Sequence, residues 1–133
     1  MPKRSFIILI FLICCFCLQI PVSQAQENNE RQTIEAFFIY MKMGDTEGIL
    51  NMLTDPILSK KRTLFEKESY ALFLKKVYGN AILYINKIEN VTTDKSSVDV
   101  EIDFNDGGSP LKTKFILLRD GGIWKISEEV TDF

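Results

Sequence analysis

The chain has 133 residues, 16 basic and 18 acidic side chains, no histidine and three cysteines. Without histidine the commonest general base and metal ligand are missing, which excludes Ser-His-Asp and Cys-His sites. Cys14, Cys15 and Cys17 all fall near the start, so the remainder can hold neither a disulfide framework nor a reactive thiol.

In chain order, the first element is a targeting segment. Lys3 and Arg4 precede an unbroken apolar run from Phe6 to Leu18, and Ser23-Gln24-Ala25 offers small residues to signal peptidase. Residues 1–25 are therefore expected to be a signal peptide cleaved near Ala25/Gln26, giving an exported protein, periplasmic or secreted. A retained membrane anchor is the weaker reading, because a spanning helix needs roughly 20 apolar residues. A lipoprotein is also a weaker reading, since Ile13, Cys14 and Phe16 precede the cysteines where a small residue is required. Cleavage would leave 133 less 25, or 108 residues, enough for one domain at 26–133. Loss of Lys3 and Arg4 leaves 14 basic against 18 acidic residues, a net charge of −4. Lys60-Lys61-Arg62 is the only basic cluster and reads as a solvated helix flank, so no nucleic-acid partner is expected.

Ile34, Phe37, Phe38 and Met41 recur at helical spacing and predict a first amphipathic helix stopped by Gly44. Asp45 or Thr46 can cap a short second helix bearing Ile49, Leu50, Met52 and Leu53. Asp55-Pro56 ends it. Thr63-Leu64-Phe65-Glu66 fits a capping box opening a third helix, with Tyr70, Phe73, Leu74, Val77 and Tyr78 along one stripe. Gly79-Asn80 is its expected left-handed stop.

The period then changes from helical to alternating. Strands are predicted over Ile82–Val91, Val98–Phe104, Leu111–Arg119 and Gly122–Val130, with Asp120-Gly121 as a tight hairpin turn. Pairing Phe104 with Leu111 sets Asp103 against Lys112 and Glu101 against Lys114, opposite charges on the outer face. Pairing Arg119 with Gly122 brings Leu117 to Trp124. One face then collects Val98, Val100, Ile102, Phe104, Phe115, Leu117, Trp124 and Ile126. The fold class is α+β, with three N-terminal helices packed on a four-stranded antiparallel sheet.

No reaction emerges from these residues. Asp99, Glu101, Asp103 and Asp106 could be taken for a calcium site, but alternation puts the first three on an exposed face opposite lysines, so no metal is expected. Gly107-Gly108 and Gly121-Gly122 lie in hairpin turns without the strand-to-helix context of a phosphate loop, and no cofactor is expected. Ile116, Leu118 and Ile123 adjoin one another on the outer face as a candidate partner surface.

Three helices followed by an antiparallel meander ending in Gly122-Ile123-Trp124-Lys125-Ile126 resembles the nuclear transport factor 2-like superfamily. It looks most like that superfamily's small exported bacterial domains of unknown function. Gly44-Asp45, Lys87-Ile88-Glu89-Asn90-Val91 and Val98-Asp99-Val100 carry the rest of the pattern, over residues 28 to 130. The resemblance implies a cone in which a curved sheet wraps the helices, and dimerisation through the sheet. Candidate cone-lining residues are Phe37, Tyr40, Tyr70, Phe73, Tyr84 and Trp124. Enzymes of this superfamily, such as ketosteroid isomerase, use an acid and a tyrosine inside the cone. Glu35, Glu68 and Glu128 are the acids within reach here, none at an inward strand position, so no catalytic residue is assigned. The leading expectation is an exported, non-catalytic binding module of the cell envelope for a small apolar ligand or a protein partner. The alternative is a small cone-fold hydrolyase or isomerase acting on an apolar substrate.

Overall fold

The computed structural model describes residues 29–131. The expected signal peptide and its cleavage point lie outside them. Four helices come first: α1 (Glu30–Met43), α2 (Thr46–Asn51), α3 (Ile57–Phe65) and α4 (Glu68–Tyr78). Four strands follow: β1 (Ile82–Thr92), β2 (Lys95–Asp103), β3 (Leu111–Asp120) and β4 (Ile123–Thr131). They form one antiparallel sheet in the order β1-β2-β3-β4. This is the expected α+β architecture with one more helix than expected.

Helix α1 begins at a full capping box. Asn29 Oδ1 accepts from Gln32 N at 2.9 Å, and Gln32 Oε1 accepts from Asn29 N at 3.3 Å. It ends at Gly44 in the left-handed conformation (φ 66°). That glycine is required twice over, since a Cβ there would lie 2.5 Å from the Ala71 carbonyl oxygen of α4.

The extra helix is α3. Thr63-Leu64-Phe65-Glu66 does not open a helix; it lies in the last turn of α3, and α4 starts after Lys67. The polar run Ser59-Lys60-Lys61-Arg62 hides the pattern, because α3 buries only Ile57 and Phe65. Asp55 stabilises its first turn by accepting from Ser59 N at 3.0 Å and from the Ser59 hydroxyl. Those bonds hold the Asp55 carboxyl below its ordinary pKa. Gly79 is right-handed (φ −50°), and the chain leaves α4 through an Ala81 N–H to Tyr78 O bond. No left-handed stop is needed there.

The inner sheet face is the expected one, but each hairpin is shifted by two residues. Val98 pairs with Phe115, Val100 with Thr113 and Ile102 with Leu111. Arg119, in turn, pairs with Trp124. An even shift changes partners and preserves faces. At the β3–β4 turn the cause is Gly121-Gly122, both at positive φ (57° and 82°), as a primed turn demands of its two central residues. At the β2–β3 turn, Asn105 is left-handed (φ 59°), and Asp103 and Asp106 side chains accept from Asn105 N and Gly108 N. This pulls Phe104 off the ladder and onto Tyr78, with ring centroids 5.3 Å apart. The cross-strand ion pairs are consequently Glu101–Lys112 and Asp99–Lys114.

Strand β4 carries a bulge at Ser127: Leu117 faces Ile126, yet Ile116 faces Glu128. The extra residue is buried and its hydroxyl donates to Ile116 O at 3.2 Å. Beyond it the alternation is reversed, so Glu129 stands opposite the inward Phe115. The outer edge of β4 is occupied, since Ile126 N donates to Met52 O and Thr54 N to Ile126 O.

Candidate functional site

The interior of the cone is closed by aromatic packing. Phe37 meets Phe115 edge-on at 5.7 Å, Phe38 meets Tyr78 at 6.2 Å, and Trp124 is only 6% exposed. Leu74, Leu117 and Ile126 beside them are fully buried. The helices sit directly on the sheet, and recesses lie at its rim and outer face.

The six expected lining residues do not converge. Phe37 and Trp124 belong to the core. Half-buried Tyr40 lies between α1 and α2, where a Cβ on Gly48 would meet its ring at 2.6 Å. Tyr70 stands between Phe65 and Phe73, in an aromatic stack where α3 meets α4. Phe73 is 50% exposed at the end of that stack, because it falls on the solvent side of the α4 stripe. Tyr84 pairs with Glu101 on the outer sheet face and is 48% exposed. Periodicity separates the faces of an element but leaves open what covers each face, so these tyrosines read inward from sequence.

The candidate acids are equally dispersed. Glu35 is exposed and pairs with Arg31, Glu68 stands in the first turn of α4, and Glu128 lies on the outer face. The inward acid is Glu129, which only the Ser127 bulge turns round, and Lys61 of α3 binds it at 3.0 Å. Burial, the Glu129 charge and Tyr70 together push the Tyr78 hydroxyl up to about 12. The sign follows from linkage. A raised folded-state pKa stabilises the fold fully below the unfolded value of 10, and that stability is lost as pH rises towards about 12. Urea midpoints of the parent should therefore fall across this alkaline window. Tyr78→Phe should flatten that fall, and an equal fall in both proteins would refute the assignment.

A further concavity lies at the other end of the sheet. A 470 Å³ recess is lined by Asn29, Glu30, Asn90, Thr92, Thr93, Arg119 and Trp124. Arg119 is inward by alternation with Phe115 and Leu117, and its backbone N–H is held by Asp94 O at 2.8 Å. Its guanidinium stacks 5.5 Å from the Trp124 ring centroid. The recess thus joins one indole, one guanidinium, the Glu30 carboxylate and several neutral hydrogen-bonding groups. No cluster of three or more His, Cys, Asp or Glu able to hold a metal occurs among the described residues. On the outer face, Ile116 and Leu118 are half-buried while Ile123 is 52% exposed beside them.

No protein-family model matches the sequence, and no curated protein does. Solved structures do match its shape. The chain is similar to a nuclear transport factor 2-like protein of unknown function from Shewanella oneidensis, at TM-score 0.53 and 10% identity over 76% of this chain and 93% of that one. It is similar to a cystatin-like-fold domain of unknown function from Nostoc punctiforme, at TM-score 0.52 and 10% identity over 83% and 78%. It is also similar to a ketosteroid isomerase-like protein from Erwinia carotovora, at TM-score 0.51 and 13% identity over 81% and 95%. At such identities the likeness is one of fold: the chain has the cone-shaped α+β architecture of nuclear transport factor 2-like proteins.

Proposed function

We propose that this chain is an exported, non-catalytic binding module of the cell envelope, and that its ligand site is the Arg119–Trp124 recess. The observation that carries this reading is the guanidinium stacked on an indole at a 470 Å³ opening. Aromatic packing of Phe37, Phe38 and Phe115 with buried Trp124 across the cone weighs against the small apolar ligand expected from sequence. It also weighs against the hydrolyase or isomerase alternative, which needs an interior pocket and a poised acid.

The recess suits a small molecule with a carboxylate for Arg119, an apolar portion for Trp124, and an amine or hydroxyl for Glu30, Asn90 and the two threonines. Trp124 is the only tryptophan in the chain, so its fluorescence reports on the site. Titration with a panel of amino acids and dipeptides, beside their C-terminal amides, should change that fluorescence for the free carboxylates only. Arg119→Met should abolish the response. Equal responses to acids and amides, or a response that survives Arg119→Met, would remove this site from consideration.

A protein partner on the outer face is the second reading, favoured by the adjoining Ile116, Leu118 and Ile123.

A further inference from the structure

The two edges of the sheet are not equivalent. Strand β4 is bridged by the Met52–Thr54 segment, whereas among the described residues nothing pairs with the outer edge of β1. Along β1, Ile82, Tyr84, Ile88 and Val91 are all exposed, at 44%, 48%, 37% and 56%. A long, open, partly apolar edge is a template for another strand.

The β1 sequence is complementary to its own reverse about Ile88. Reading outward, Lys87 answers Glu89, Asn86 answers Asn90, Ile85 answers Val91 and Tyr84 answers Thr92. The hydrogen-bonding direction agrees with that centre. The Glu89 carbonyl is turned towards β2, where Ser96 Oγ donates to it at 3.1 Å. Backbone groups alternate in direction along a strand, so the N–H and C=O of Ile88 face the open edge. In the single chain Lys87 and Glu89 pair with each other at 2.9 Å, both well exposed, and are available for exchange.

From this we infer that β1 pairs antiparallel with β1 of a second copy, about a two-fold axis through Ile88, to give a continuous eight-stranded sheet. Ile88 then exchanges both backbone hydrogen bonds with its equivalent. Lys87 of each copy lies opposite Glu89 of the other. Bulges at Asn86 and Val91 confine the regular pairing to the centre of the strand. Because the two-fold uses the open edge of both copies and the β4 edges are already bridged, assembly stops at the dimer.

The charges supply the test. Sedimentation of residues 26–133 at high micromolar concentration should show a dimer. Lys87→Glu and Glu89→Lys, each alone, set like charges opposite one another and should sediment as monomers with unchanged circular dichroism. The double variant, which only swaps the two charges, should dimerise again. An equimolar mixture of the two single variants should form a heterodimer. A monomeric parent overturns the inference, as does a dimer that survives either single reversal. A dimer dissolved by Ile116→Lys and untouched by the charge reversals also overturns it, and places the interface on the outer sheet face.

Discussion

Trp124→Ala is expected to lower stability by about 3–5 kcal/mol, the usual cost of removing a large aromatic side chain from a core. Domains of this size are stable by about 5–15 kcal/mol in all, so the variant should unfold near the foot of the parent's urea transition. The indole is almost wholly out of water, lies opposite Arg119 on the inner face, and has the fully buried Ile126 as its next inward neighbour on the same strand. Ile123→Ala, one residue earlier but outward and 52% exposed, should change stability by no more than about 0.5 kcal/mol. Equal losses at the two positions would mean that the face assignment is mistaken.

Gly44→Ala is the second large effect. The left-handed conformation costs a non-glycine residue about 1–2 kcal/mol. Forcing a methyl group into a closed contact adds about 1–3 kcal/mol. The added carbon would sit 2.5 Å from the Ala71 carbonyl oxygen, a backbone atom that cannot rotate away. A loss of about 2–5 kcal/mol follows from the sum. Gly121→Ala separates the two contributions. Gly121 is also left-handed (φ 57°), but a methyl group added there would meet nothing within 4 Å, so it should lose only the conformational part. Paired urea denaturation of the two variants measures the difference. Equal losses would show that α1 and α4 can part at little cost.

Much of the fold is legible in the chain because alternation and helical spacing report faces directly. Val98, Val100, Ile102, Phe115, Leu117, Trp124 and Ile126 stand on the inner face as the alternation requires, although both hairpins pair two residues away from the expected register. The pairing itself depends on which residues turn, and Asp120-Gly121 is a plausible turn until Gly121-Gly122 is seen to supply both positive φ angles. Helix α3 is hidden because four of its nine residues are Ser59, Lys60, Lys61 and Arg62 and only its ends are buried. The recess is harder to see. It brings Asn29 and Glu30 to Arg119 and Trp124 across some ninety positions of sequence, and no local spacing encodes that meeting. One signal is present: Arg119 shares the inward alternation of Phe115 and Leu117, which makes it a cation on the apolar side of the sheet. Glu129 offers none, since the Ser127 bulge that turns it inward has no sequence signature.

That bulge divides β4 into two segments whose orientations are set independently. An insertion or deletion between Trp124 and Ile126 would exchange inside and outside for everything downstream. The same event at Ser127 would spare Trp124 and Ile126 and reorient only Glu128 to Thr131. The acid opposite Lys61 can therefore be gained or lost in evolution by a single-codon length change, while the anchor of the cone stays where it is. Length variation at this one position is a route by which a domain with this core could change the electrostatics of its rim without refolding.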